Sequence, residues 1–166
     1  MDIITKVGLI PLYEEQILIH KPFPKRNAGD DVPFGLCRGT RRYIDKNGLL
    51  RDLRDVDVSK IDPQTIEKPK KTMINEAEEE LGLLQHNMLR LIDMGPQMYH
   101  SARKGDYAIH FFVCEVETPG QLAHADDAKD VRWVSWSELQ RMAEEGSFKK
   151  AYIPIVEAGI KAMRAV

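Results

Sequence analysis

The sequence predicts an α/β fold, an α/β/α sandwich with a mixed β-sheet, in a single domain that covers residues 1–166. Three observations predict it. Runs rich in β-branched and aromatic residues lie on both sides of a helical segment near the middle of the chain. That segment has apolar residues at helical spacing. Two further helical segments follow residues 135 and 153 and close the chain.

Five runs of the chain are typical of β-strands, namely residues 3–12, 16–20, 32–38, 88–93 and 107–117. Turn residues at 13–15 predict that the first two strands form a hairpin. Polar composition predicts a loop at residues 95–106. Ser135 followed by Glu138 is a capping box for the first C-terminal helix, and Gly146 ends that helix.

A helix is predicted to begin at Pro69 and to end before Gly82. Proline has the fixed φ of a first helical position, and glycine suits the left-handed residue after a helix end. Apolar residues recur at helical spacing and form one stripe: Met73, Ala77, Leu81 and Leu84.

The same helix carries Glu76, Glu79 and Glu80 at positions i, i+3 and i+4, so their carboxylates gather on one face. Like charges at this spacing oppose helix formation by roughly 0.2–0.5 kcal/mol per pair. A hard divalent cation would explain the cluster, because Mg²⁺ takes oxygen ligands and binds through carboxylates and substrate phosphates. A solvated acidic helix face has the same spacing, so spacing alone leaves both interpretations open.

Residues 67–83 resemble the Nudix box of the MutT-like Nudix hydrolase family. The second half of that pattern is Arg-Glu-aliphatic-x-Glu-Glu-x-Gly-aliphatic, and residues 75–83 match it with Asn75 in place of the arginine. Glu67 fits the earlier box glutamate. Gly39 fits the opening glycine, which makes residues 46–66 an insertion in the box.

The resemblance implies the α/β/α sandwich and metal-dependent hydrolysis of a diphosphate linkage in a nucleoside diphosphate derivative. It also implies that Glu76, Glu79 and Glu80 bind Mg²⁺ or Mn²⁺, with the backbone carbonyl of Gly39 as a further ligand. Glu67 is a further metal-ligand candidate, although in the family this glutamate is more often structural and helps the loop–helix geometry.

The resemblance leaves the catalytic base open, because family members differ in its location. One alternative lies in the box, at Glu79 or Glu76. The other is Asp126 or Asp127, in a loop that precedes a late strand, and His124 is a further candidate there. The two aspartates also fit an ordinary polar turn.

Cationic residues on both sides of the third strand predict a polyphosphate-binding surface, because a guanidinium binds phosphate through two parallel hydrogen bonds. They are Arg38 at the end of that strand and Arg41 and Arg42 after it, with Lys25 and Arg26 in the loop at residues 21–30. A solvated connector is the other interpretation of that loop.

Asn75 is the departure from the box pattern that bears on function. The arginine of the pattern orients the metal-binding glutamates, whereas asparagine donates a hydrogen bond without charge. Lys70, Lys71 or an arginine of the insertion could supply the charge instead. A catalytically impaired Nudix-fold nucleotide-binding or interaction module is therefore an alternative function. An allylic diphosphate isomerase that uses Cys37 is a third.

The amino-acid composition limits the kinds of partner that the protein is expected to bind. A net charge of −2 gives no overall attraction to nucleic acid or to an anionic membrane, and no apolar run is long enough to span a bilayer. Two cysteines are too few for a disulfide scaffold. We predict buried free thiols, a cytoplasmic location and a small-molecule partner, with a homodimer also possible because family members are often dimers.

Overall fold

A six-stranded mixed β-sheet forms the centre of the computed structural model, which describes residues 3–22, 32–54, 56–103, 105–119 and 128–166. The sheet consists of β1 (Lys6–Tyr13), β2 (Gln16–Pro22), β3 (Cys37–Thr40), β6 (Met88–Ser101), β7 (Gly105–Val116) and β8 (Ala128–Ser135). The strand order is β6-β7-β1-β2-β8, and β3 also pairs with β1.

Strand β1 determines where the candidate site forms. One edge of β1 pairs in parallel with β7, whereas β2 and β3 share the opposite edge in antiparallel pairing. β2 pairs at Leu12 and Tyr13, and β3 pairs between Lys6 and Leu9. Because β2 leaves β1 early, β3 runs beside the first half of β1 and meets the central helix.

Helix α1 (Pro69–Glu76) continues into a π-helical turn (Ala77–Leu81) and ends at Gly82, whose φ is 66°. Helix α2 (Trp136–Glu145) begins at Ser135, whose hydroxyl accepts a hydrogen bond from the Glu138 amide at 3.2 Å. It ends at Gly146, and α3 (Ile153–Arg164) follows. The starts and ends predicted from proline, serine and glycine are confirmed.

The helices cover both faces of the sheet, which confirms the α/β/α sandwich with a mixed sheet. On one face α1 packs against alternate residues of β1 and β7, in a core that includes Val7, Leu9, Met73, Ala77, Leu81 and Phe112. On the other face, Leu139 of α2 and Val156 of α3 share a core with the strand residues Ile10 and Phe111. The predicted apolar stripe is wrong at its end, because Leu84 follows the turn at Gly82 and is exposed, and Leu83 is buried instead.

The insertion at residues 46–66 folds back onto the rest of the domain. Strands β4 (Arg42–Ile44) and β5 (Leu50–Asp52) form a hairpin, and short 3₁₀ turns occupy Val58–Lys60 and Pro63–Thr65. Leu53 and Ile66 are buried. The Glu67 amide donates to the Arg42 carbonyl at 2.8 Å, which joins the two segments that flank the insertion.

The loop predicted at residues 95–106 is wrong. Strands β6 and β7 pair along their whole length, up to Ser101 opposite Gly105. β6 is an edge strand with one solvent-facing side, so its polar residues and Pro96 are compatible with a strand. Tyr99 packs against Tyr107 and Tyr152 from the other side. None of the helices in the described ranges is long and apolar enough to cross a membrane.

Candidate active site

Gly39 on β3 lies directly against Glu76 on α1. A Cβ atom at position 39 would lie 2.2 Å from both Cγ and Cδ of Glu76, closer than any packed side chain allows. The absence of a side chain at Gly39 therefore lets the helix bring the Glu76 carboxylate against the backbone of β3. The structure thus brings together Gly39 and Glu76, and their role as metal ligands stays a prediction.

Glu80 is held by two groups from the sheet. The Arg38 amide donates to Glu80 Oε2 at 3.3 Å, and His20 Nε2 lies 3.2 Å from the same oxygen. The Glu80 side chain is only 15% exposed. Both contacts hold the same carboxylate oxygen of Glu80. Residues of β2 and β3 therefore determine how this carboxylate is oriented.

His20 is buried beneath the acidic turn. Desolvation, with smaller effects from the charges of Lys149 and Arg38, lowers the pKa of His20 to about 4. At neutral pH the ring is therefore uncharged, and Nε2–H donates to Glu80. Nδ1 is buried and has no hydrogen-bond partner among the described residues.

Arg42, the first residue of β4, contacts the other two glutamates. Its NH2 nitrogen lies 3.3 Å and 3.5 Å from the two carboxylate oxygens of Glu79, and 3.9 Å from Glu76 Oε1. Burial acts against the charge, but the Glu79 hydrogen bond and the charges of Glu79, Glu67 and Glu76 raise the pKa of Arg42. Arg42 therefore stays charged beside the acidic turn.

Glu67 and Arg41 form part of the framework. Thr72 Oγ1 donates to Glu67 Oε1 at 2.6 Å, in the first turn of α1. Arg41 donates through Nε to the Glu67 carbonyl at 2.7 Å and through NH1 to the Ile4 carbonyl at 2.9 Å. These bonds hold the segment that leads into α1 to the residues just before β1. Arg41 is predicted to bind substrate, but in the structure its guanidinium donates to two main-chain carbonyls.

A cationic cluster adjoins Glu80 on the other face of β3. Its members are Arg38, Lys149, Lys21 and Arg132, with the rings of Phe34 and Tyr152. Arg38 NH1 donates to Tyr152 Oη at 3.0 Å, and Lys149 Nζ lies 5.7 Å from the Tyr152 ring centroid. Lys21 and Arg132 lie over Phe34, at 5.9 Å and 4.5 Å from its ring centroid. The two rings are buried beneath these cations. Arg38 and Lys149 are close enough to His20 for their charges to lower its pKa, so positive charge lies beside the His20–Glu80 pair, where it suits an anionic ligand.

Comparison with known proteins identifies the family. The family model of the NUDIX domain matches residues 61–154, more than half of the chain. The chain belongs to the Nudix family. The match begins at residue 61, where an uninterrupted Nudix box would have its glycine, and it leaves out β3 and the β4–β5 hairpin.

Solved Nudix structures share the fold. A NUDIX hydrolase from Nitrosomonas europaea is 16% identical, with a TM-score of 0.61 over 98% of this chain and 90% of that chain. The Ap4A hydrolase from C. elegans, in a binary complex, is 12% identical, with a TM-score of 0.60 over 98% of both chains. The NUDIX domain of Shewanella oneidensis NrtR, complexed with ADP ribose, is 11% identical, with a TM-score of 0.53 over 85% of this chain and 78% of that chain. A search of curated proteins gives no match.

The Nudix-box glutamates fit a divalent metal in their chemistry, and their side chains would have to turn to bind one. In the described ranges no three His, Cys, Asp or Glu side chains are gathered closely enough to hold a metal ion. Glu79 faces Arg42, whereas Glu80 faces His20. The donors are hard carboxylate oxygens, which Mg²⁺ prefers. Arg42 NH2 lies within 4 Å of both Glu76 and Glu79, so the turn already accommodates a positive charge.

Several predicted residues of the Nudix site lie outside the described residues, namely Lys25, Arg26, His124, Asp126 and Asp127. Their roles stay predictions. Conversely, His20, Lys149 and Tyr152 contribute to the site and were not predicted from the sequence. For His20 a signal exists, because it follows Leu18 by two residues, and Leu18 packs on the α1 side of the sheet. Lys149 and Tyr152 reach the site from the start of α3 and carry no local signal.

Proposed function

We propose that this protein hydrolyses a diphosphate linkage in a nucleoside diphosphate derivative and requires Mg²⁺ or Mn²⁺. The observation that supports the proposal is that the acidic turn meets β3: Glu76 lies against Gly39, and Glu80 accepts from the amide of Arg38, whose guanidinium belongs to the cationic cluster. Two of the structural relatives support the substrate class, since one is an Ap4A hydrolase and one is a NUDIX domain in complex with ADP ribose.

The bound metal would neutralise phosphate oxygens and acidify the attacking water. Glu76, Glu79 and Glu80, with the Gly39 carbonyl, would hold it. His20 and the Arg38 amide orient the Glu80 carboxylate before any metal binds.

The chain's own residues would bind the substrate and remove a proton. The guanidinium of Arg38 and the ammonium of Lys149 would bind the phosphate oxygens, and the Tyr152 hydroxyl holds Arg38 in place. Glu79 is 42% exposed and can accept a proton from water. Asp126 or Asp127 is the alternative base. Comparison of Glu79→Gln with Asp126→Asn, Asp127→Asn and His124→Ala would identify which of these residues takes the proton.

The experiment that tests the function is a panel of nucleoside diphosphate derivatives, with dinucleoside polyphosphates, ADP-ribose, nucleotide sugars and damaged nucleoside triphosphates. Each is incubated with Mg²⁺ or Mn²⁺, with and without a chelator. We expect turnover that stops on chelation. Reaction in ¹⁸O-water, with products read by mass, would show which phosphorus is attacked. Turnover that persists after chelation would contradict the proposal.

A second candidate function is a module that binds a nucleotide without turnover. Asn75 in the box and the pairing of Glu79 with Arg42 favour it. Saturable binding of a nucleotide with no product from any substrate in the panel would support this module and overturn the hydrolase.

The isomerase alternative has less support. Cys37 is 1% exposed, and burial, followed by the charge and the hydrogen bond of Glu80, raises the pKa of its thiol. Both cysteines are free and buried. A neutral thiol without access to solvent is a poor catalyst, and we expect Cys37→Ala to retain activity. The cytoplasmic location and the homodimer stay predictions.

A further inference from the structure

Three carboxylates on one turn of helix require a positive charge nearby, and helix α1 does not supply one at the expected place. Position 75 lies four residues before Glu79, where a cationic side chain would pair with it along the helix. Asn75 occupies this position and carries no charge. Within the described ranges its side chain makes no hydrogen bond.

Arg42 brings a guanidinium to the same glutamates from another element. It is 37 residues away from Glu79 in sequence, yet its NH2 nitrogen contacts both carboxylate oxygens of Glu79 and approaches Glu76. Its side chain is 30% exposed, so the pair is partly shielded from solvent. Hydrogen bonds between charged groups are stronger than neutral ones and fix the direction of a carboxylate.

The β4–β5 hairpin, whose second strand lies in the insertion, sets the position of Arg42. The backbone of Arg42 lies opposite Asp52 of β5 in the strand register, at one end of the hairpin. Its carbonyl accepts from the Glu67 amide, two residues before α1 begins. The hairpin thus ties Arg42 directly to the start of the helix that carries the glutamates.

We propose that Arg42 orients Glu79 and Glu76 in place of a cationic side chain at position 75, so that Arg42 on the β4–β5 hairpin compensates for Asn75. Arg42 is then a positioning residue that acts through the glutamates. This inference rests on the proposed function for its kinetic consequences, whereas its effect on the glutamates can be measured without any substrate.

The test is a set of four proteins: the wild type, Arg42→Gln, Asn75→Arg and the double variant. Mn²⁺ binding is measured by calorimetry in the absence of substrate, and kcat and KM are measured with an active compound from the panel. Arg51→Gln is the matched control, because Arg51 lies on the same hairpin and pairs with Asp45 instead of the glutamates. Unfolding midpoints identify any variant that fails to fold.

We expect Arg42→Gln to weaken Mn²⁺ binding and to lower kcat, each by at least ~10-fold, as loss of a group that orients metal ligands does. The double variant should recover most of the Mn²⁺ affinity and most of kcat, because one guanidinium again reaches Glu79. Asn75→Arg alone should lower kcat, since two guanidinium groups crowd one acidic turn. Arg51→Gln should match the wild type.

Other results would overturn the inference. Tighter Mn²⁺ binding by Arg42→Gln would show that Arg42 competes with the metal. A higher KM with unchanged kcat and Mn²⁺ binding would make Arg42 a substrate-binding residue. A double variant no better than Arg42→Gln, or a gain in kcat for Asn75→Arg, would also contradict it. If no compound in the panel reacts, the proposed function fails, and the Mn²⁺ results still decide the role of Arg42.

Discussion

Gly39 and Glu76 are so close that the glycine has no room for even a methyl group, since a Cβ there would lie 2.2 Å from the Glu76 side chain. The contact joins β3 to α1 at the acidic turn. It makes the position of the Glu76 carboxylate depend on a residue 37 positions earlier in the sequence.

We therefore predict that Gly39→Ala displaces Glu76 and lowers activity by at least ~10-fold, because a shift of a ligating carboxylate weakens metal binding. Overpacking of this kind also destabilises proteins by about 1–3 kcal/mol. Gly35→Ala is the control for stability, because a Cβ at Gly35 would meet its nearest atoms at 3.7 Å, an ordinary contact. An active Gly39→Ala protein with unchanged Mn²⁺ binding would contradict the prediction.

The box glutamates give a second prediction. Glu79→Gln and Glu80→Gln should each lower turnover by at least ~10-fold, since an amide binds a divalent cation less strongly than a carboxylate. Glu78→Gln is the matched control, because Glu78 lies on the same turn and is exposed. Rates equal to the wild type in Glu79→Gln and Glu80→Gln would mean that the acidic face is only a solvated helix surface.

The sequence predicted the central helix well because its signals are local. Pro69, Gly82 and the spacing of Met73, Ala77 and Leu81 all lie within the helix or at its ends. The three box glutamates follow from the same stretch. The length of β6 was missed because its polar residues face solvent at a sheet edge, where composition does not distinguish a strand from a loop.

Contacts between distant segments could not be predicted. Asn75 showed that a charge was missing from the box, but only the register of the β4–β5 hairpin brings Arg42 to Glu79. In the same way, Arg38 of β3 meets Tyr152 across 114 positions because the turn before α3 packs on the α2–α3 face of the sheet. The sequence pattern carries no record of such pairings.

His20 gives a prediction for pH dependence. Burial lowers its pKa to about 4, below the value of about 6.5 in the unfolded chain, so the unfolded state binds more protons between these values. The contribution of His20 to the free energy of unfolding is therefore complete above about pH 6.5, and it is lost as the pH falls toward 4. For the metal-free protein we expect the free energy of unfolding to fall by about 1 kcal/mol from this group between about pH 7.5 and 5.5.

Urea unfolding of the wild type and of His20→Gln at both pH values measures that contribution. Glutamine keeps a donor for Glu80 and does not titrate, so the two proteins differ only in the ionisation of residue 20. The wild type should lose more stability than His20→Gln on acidification. An equal loss in both would show that His20 is not the group responsible.

A substitution at Arg38 distinguishes an effect on substrate binding from an effect on metal binding. Its amide holds Glu80, whereas its guanidinium reaches Tyr152 and the cationic cluster on the other face of β3. Arg38→Met removes the guanidinium and leaves the amide in place. We expect KM to rise at least ~10-fold, because a hydrogen bond to a charged group contributes roughly 1.5–3 kcal/mol, with Mn²⁺ binding unchanged. Arg54→Met, at an exposed position of the insertion, is the control and should behave as the wild type. Weaker Mn²⁺ binding with an unchanged KM would instead mean that the Arg38 side chain supports Glu80.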